Sequence, residues 1–128
     1  EGQKIVYLAH KIENKNINDF VRNIEKWIIN ILETYSIKSL ADEKNIGIWV
    51  KQKKNETNKI AAIGIRVKKW DAYHGFALNV NVNKANYKGI IPCGIHDRGI
   101  ANMTDFIEIS KIKNLNETII KKYKDIFV

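Results

Sequence analysis

Apolar positions along this chain change period several times, and each change marks a different element. They fall at Ile17, Phe20, Val21, Ile24, Ile28, Ile31, Leu32 and Tyr35, a spacing that puts one apolar stripe along a helix. Arg22, Glu25, Lys26 and Glu33 take the wet side, and Trp27 borders the stripe, where packing is its expected role. Asn16 precedes this helix as an N-cap and Asp19 follows it within the first turn, a capping-box-like start. A second helix is predicted after Asn114, with Glu117 completing a similar start. Its apolar face would be Leu115, Ile119, Ile120, Tyr123 and Phe127.

Elsewhere the period is two. Residues 4–9 read as a short apolar strand, and 46–51 alternate Ile46, Ile48 and Val50 against Gly47, Trp49 and Lys51. The polar run 51–58 reads as a hairpin connection whose lysines form a solvated tip. Strands are predicted at 59–69 and 73–83, the latter with Phe76, Leu78, Val80 and Val82 on one face and Asn79, Asn81 and Asn83 on the other. Residues 85–98 form a glycine-punctuated loop. The pattern predicts one domain over residues 1–128, of α/β (α+β) class, with a mixed or antiparallel sheet and helices packed on it.

Composition narrows the function classes. The chain has 128 residues, of which 45% are hydrophobic and 28% charged, as in an ordinary globular domain. No apolar run approaches the roughly 20 residues that span a bilayer. The opening EGQKIVYLAH lacks a signal-peptide layout. A single cysteine forms no internal disulfide, which favours a reducing, cytoplasmic setting such as a bacterial cytosol. The net charge of +8 attracts acidic partners, either nucleic acid or an acidic carrier protein. Abundant Lys, Asn and Ile, encoded by A/T-rich codons, would also supply that charge. No interleaved aromatic and basic face favours nucleic acid. His10, His74 and His96 are scattered without metal-ligand spacing, and no phosphate-binding loop or serine-hydrolase elbow is present, so neither metal nor cofactor is expected.

Two residues carry candidate chemistry. Strand parity puts Lys59 on the same side as Ala61, Ile63, Ile65 and Val67, the apolar face. A lysine there either snorkels to water at the strand mouth or sits in a partly dry cleft, where proton transfer becomes accessible to it. Cys93 stands in Gly-Ile-Ile-Pro-Cys-Gly-Ile, residues 89–95. It is either a small buried hydrophobe or a nucleophile. An ordinary thiol, with a pKa near 8.5, is only about 3% thiolate at pH 7, so a nucleophilic Cys93 needs a nearby cation. Pro92 fixes φ, and Gly94 lets the backbone approach a substrate.

Lys-Ile-Ala-Ala-Ile-Gly (59–64), His-Gly-Phe-Ala-Leu-Asn (74–79) and Pro-Cys-Gly (92–94), in that order, closely resemble the motifs of the lipoyl(octanoyl) transferase family of lipoate biosynthesis. The resemblance implies a catalytic module like that of biotin and lipoate protein ligases. It implies transfer of an octanoyl group from octanoyl-acyl carrier protein, through a Cys93 thioester, to a lysine of lipoyl domains in 2-oxoacid dehydrogenase complexes and glycine cleavage H protein. Lys59 would then lower the thiol pKa, and Ala62, Ile63, Gly64, His74, Gly75, Phe76 and Ala77 would contact substrate. A cytoplasmic monomer acting without cofactor, metal, nucleic acid or membrane is expected. The family also carries an upstream Arg-Gly-Gly…His-Gly-Pro-Gly-Gln motif, of which Glu1-Gly2-Gln3 resembles only the last edge, so the catalytic domain is expected to be incomplete at its N-terminus. Alternatives are a non-catalytic remnant that binds carrier protein or lipoyl domain, and a ligase or amidotransferase relative of the same fold.

Overall fold

The computed structural model describes residues 2–11, 16–53, 56–69, 71–84 and 99–128. These form β1 (Gln3–Lys11), α1 (Ile17–Thr34), β2 (Leu40–Ala41), β3 (Ile48–Lys51), β4 (Thr57–Lys68), β5 (Asp71–Asn79) and α2 (Leu115–Phe127), with 3₁₀ turns at Met103–Asp105 and Ile109–Lys111. The strands make one sheet in the order β1-β5-β4-β3-β2, and each ladder is antiparallel. This is the expected class: an antiparallel sheet with helices on it. The two-residue β2 was not foreseen.

α1 forms where the apolar stripe predicts it. Its first turn is capped by the Asn16 Oδ1, which accepts the Asp19 N–H at 3.1 Å. Phe20, Ile24, Ile28, Ile31 and Leu32 are buried against the sheet and α2. Trp27 is not at the border but in the core, 2% exposed. Its Nε1–H donates to the Ile119 carbonyl at 2.9 Å, and its ring meets Phe76 edge-on at 5.0 Å. Tyr123 and Phe127 of α2 close over the same indole. The start of α2 departs from expectation. Asn114 adopts φ 57°, a left-handed conformation, whereas a side-chain cap needs extended backbone; its side chain makes no cap hydrogen bond. Ile120, assigned to the apolar face, is 56% exposed.

β5 ends at Asn79, short of the predicted 83. The alternation continues beyond it, but the hydrogen bonds go elsewhere. The N–H groups of Val80 and Asn81 converge on the Gly2 carbonyl at 3.0 and 2.9 Å. Val82 pairs with the side chain of Asn102.

A bulge in the β3–β4 ladder matters most for function. Ile48 pairs with Ala61, but the next rung joins Trp49 to Lys59, leaving Ile60 as the extra residue. Successive strand residues face opposite ways, so the bulge reverses the parity of everything before it in β4. Ile48, Val50, Ile60 and Ala61 all belong to the helix-side core; Trp49 and Lys59 do not. The parity argument placed Lys59 with Ala61 and Ile63, and the bulge overturns it: Lys59 is on the other face.

Candidate active site

The face of the sheet turned away from the helices has a floor of small residues. One rung runs Ile5, Ala77, Ala62 across β1, β5 and β4, and the next runs Tyr7, Gly75, Gly64. Tyr7 and Ile5 are 84% and 52% exposed, large apolar groups beside that floor. The two glycines differ in cause. A Cβ on Gly75 would run into the Val6 carbonyl oxygen, so close strand approach excludes any side chain there. At Gly64, among the described residues, nothing lies within 4 Å of the Cβ position. Among the described residues, packing gives no reason for glycine at 64.

Lys59 stands at one end of this face. It is 7% exposed, and its ammonium lies over the Trp49 ring, 5.0 Å from the centroid, a contact worth about 0.5–2 kcal/mol. The indole is fixed in turn by its Nε1–H, which donates to the Asn45 carbonyl at 3.2 Å. Gly47, at φ 142°, gives the lysine stem room: a Cβ there would come within 3.0 Å of Lys59 Cε. The Lys59 backbone is equally held. Its N–H donates to the Gly99 carbonyl, and its carbonyl accepts from the Ala101 N–H, each at 2.9 Å. Gly99 follows Cys93 by six positions in the sequence.

Of the residues singled out from sequence, Lys59, Ala62, Gly64, Gly75 and Ala77 therefore share the open face. Ile63 and Phe76 share the opposite one, where Phe76 is 2% exposed against Trp27 and Ile63 packs on the core. Their side chains build the fold, which leaves only their backbone at the open side. His74 lies within β5, in register with Leu8 and Ile65. Cys93 and the glycine-punctuated loop at 85–98 fall outside the described residues.

Sequence reasoning missed Trp49, Asn79 and a polar cluster around Asn102. Trp49 had a signal, since it alternates against Ile48 and Val50 and so had to face away from the core. Asn79 is the last residue of the His-Gly-Phe-Ala-Leu-Asn segment; it is 5% exposed, accepts from Gln3 Nε2 at 2.9 Å and donates to the Lys59 carbonyl at 3.4 Å. Asn102 had none. It is 3% exposed; its Oδ1 accepts the Val82 N–H and its Nδ2 donates to the Val82 carbonyl, both at 2.9 Å. Asp105 Oδ2 accepts from the Asn102 N–H at 2.9 Å, Lys84 Nζ at 2.6 Å and Gln52 Nε2 at 3.1 Å. Burial opposes ionisation of Asp105, but the hydrogen bonds from Lys84, the Asn102 N–H and Gln52, with the Lys84 charge, outweigh it and hold the carboxyl below the usual range. Among the described residues, no cluster of His, Cys, Asp and Glu could hold a metal, and no helix is long and apolar enough to cross a membrane.

Residues 1–124 match the lipoyl protein ligase A/B catalytic domain. An octanoyltransferase of Wolbachia pipientis subsp. Culex pipiens is 40% identical over 129 residues, covering 98% of this chain and 62% of that protein. An octanoyltransferase of Bartonella tribocorum is 43% identical over 111 residues, covering 79% of this chain and 45% of its own. The chain thus spans less than two thirds of the length of these relatives. Among solved structures, a bi-partite lipoate protein ligase from Thermoplasma acidophilum superposes with a TM-score of 0.72 at 15% identity, over 97% of this chain and 51% of that one. A biotin protein ligase from Aquifex aeolicus gives 0.68 at 14%, over 98% and 52%. Both likenesses concern the fold.

Proposed function

The chain belongs to the lipoyl protein ligase A/B catalytic domain family, and from that premise we propose that it carries the acyl-transfer chemistry of an octanoyltransferase. The octanoyl group arrives as a thioester on acyl carrier protein. The Cys93 thiolate attacks its carbonyl, the bond to the carrier sulfur breaks, and the carrier leaves as a thiolate that takes up the proton Cys93 gave up. A lysine amine of a lipoyl domain then attacks the Cys93 thioester; the amide forms, the Cys93 C–S bond breaks, and the amine proton passes to the departing thiolate. One thioester replaces another in the first half, and amide formation drives the second, so no ATP is required.

Lys59 is the proposed charge partner of Cys93. A nearby ammonium favours the thiolate, and shifting a thiol pKa by ~1.5 units is worth about 2 kcal/mol. We further propose that Lys59 takes part in moving the amine proton. The observation that carries the reading is the position of Lys59. It sits on the open face with Ala62, Gly64, Gly75 and Ala77, and its backbone is bonded to the chain six positions beyond Cys93. A floor without bulky side chains suits an acyl chain, each buried CH₂ contributing about 0.8 kcal/mol. The +8 charge suits acidic carrier and lipoyl domains. We further propose that the protein acts as a cytoplasmic monomer, with no cofactor, on the lipoyl domains of 2-oxoacid dehydrogenase complexes and glycine cleavage H protein.

Intact mass after incubation with octanoyl-acyl carrier protein tests the proposal. A hydroxylamine-labile octanoyl adduct is expected on the parent chain and not on Cys93→Ser. An adduct that persists in Cys93→Ser would refute the thioester route.

A further inference from the structure

Resting on that acyl-transfer reading, we propose that Arg66 and Lys68, at the far end of the open face from Lys59, form the docking surface for the acidic acyl carrier protein that delivers the acyl group. Sequence and register together make this face cationic. The five strands contain the cations Lys4, Lys11, Lys51, Lys59, Arg66 and Lys68 and a single acid, Asp71. The other acids of the described chain stand on the helices, the turns and the connections.

Beyond the bulge, alternation settles which cations of β4 face outward. Ile63 and Ile65 pack against the core, so Gly64, Arg66 and Lys68 belong to the opposite side. Arg66 and Lys68 are exposed, and so is Lys69 at the turn that follows. By register the last two rungs are Ala9–Tyr73–Arg66 and Lys11–Asp71–Lys68. This end of the sheet therefore sets Lys11, Arg66, Lys68 and Lys69 against one acid position. Other described cations are interspersed with acids. Lys121, Lys122 and Lys124 share α2 with Glu117 and Asp125, Lys51 and Lys53 share the β3–β4 hairpin with Glu56, and Lys84 is paired with Asp105 at 2.6 Å. A field of one sign draws an acidic partner in and fixes its approach.

Reach selects the donor over the acceptor. Along β4, Lys68 lies six positions beyond Ala62, about 20 Å at strand spacing. The lysine side chain of a lipoyl domain is too short for that span, so the acceptor must dock close to Lys59. A carrier presents its acyl group at the end of a long flexible prosthetic arm, and its body sits a strand's length away while the thioester reaches Lys59. Between the two ends, Ala62, Gly64, Gly75 and Ala77 put no bulky side chain of β4 or β5 in the way.

The measurement is the affinity of the intact chain for octanoyl-acyl carrier protein, by fluorescence anisotropy at low and high salt. Arg66→Gln/Lys68→Gln is compared with Lys121→Gln/Lys124→Gln, a pair of exposed lysines on α2. Both double variants lower the net charge equally, so only location differs. Neutralisation is used because Lys68→Glu would put like charges at paired positions of the ladder, with Asp71. The β4 pair should weaken carrier binding by roughly 10-fold at low salt, mostly through slower association, with the gap narrowing as salt rises. In octanoyl transfer it should raise KM for the carrier and leave kcat unchanged. The α2 pair should stay within about 2-fold of the parent, and both pairs should bind an isolated lipoyl domain alike. Equal effects of the two pairs on the carrier would overturn the proposal. So would a selective loss of lipoyl-domain or oligonucleotide binding in place of carrier binding, or a parent that does not bind the carrier. Should the β4 pair fail to fold by circular dichroism, Arg66→Gln against Lys121→Gln makes the same comparison. A parent that shows the location dependence but gains no octanoyl mass would uphold the surface and refute the transfer reading.

Discussion

Along the same rungs of the sheet, Ile63, Phe76 and Val6 point toward the helices while, one position on, Gly64, Gly75 and Tyr7 belong to the opposite face. The first set is packed among Trp27, Ile28 and Leu78; in the second, large side chains stand only on the edge strand. The difference separates what makes the protein fold from what is free to bind. It also shows how one segment such as Ile63-Gly64 can serve both purposes: alternate residues face different surroundings.

The comparison is sharpest at Lys59. Its loss should damage chemistry and spare the fold: Lys59→Met is expected to slow octanoyl transfer by about 10²–10⁴-fold, with a thermal midpoint close to the parent's. A large loss of stability instead would make it a structural residue. Next in size is the helix-side counterpart. Phe76→Ala should cost about 3–5 kcal/mol of unfolding free energy, measured by urea titration, because the Trp27 edge contact and the surrounding core lose their filling.

The glycines divide in the same way. Gly75→Ala forces a methyl against the Val6 carbonyl and should destabilise by about 1–3 kcal/mol. Gly64→Ala meets open space among the described residues and should stay within about 0.5 kcal/mol of the parent. If the two alanines cost the same, the distinction between packing glycine and floor glycine is wrong. A pH-dependent effect belongs to Asp105. Its carboxyl is held below its ordinary value of 3.8, so the ionised form contributes stability above that pH, and the contribution is lost as pH falls through the lowered value. Asp105→Asn should melt earlier than the parent near neutral pH and converge with it in acid; a constant gap would dissociate the effect from ionisation.

Much of this was legible in the sequence. The α1 stripe, from Phe20 to Leu32, and the alternation in β5 specify local structure through periods that need no tertiary information. The motif segments 59–64 and 74–79 likewise brought Lys59, Ala62, Gly64, Gly75 and Ala77 together on paper before the ladder joined them in space. What the sequence hid was non-local. The bulge at Ile60 depends on how β3 registers with β4, and nothing in the alternation of residues 59–67 announces an extra residue, so Lys59 was put on the wrong face. Trp27 was placed at a border because the helix alone does not reveal that α2 and Phe76 close over it. Asn102 is one polar residue in a turn, and its pairing with Val82 exists only once residues 20 positions apart are folded together.

The central claim is that the acyl chain lies on the open face beside Lys59. An octanoyl analogue with a terminal diazirine, loaded from acyl carrier protein and irradiated, tests it directly by mapping the crosslinked peptides. Labels should fall in β1, β4 and β5, on the segments holding Tyr7, Ala62 to Gly64 and Gly75 to Ala77. Labels concentrated in α1 or α2 would place the chain on the helix side and contradict the account.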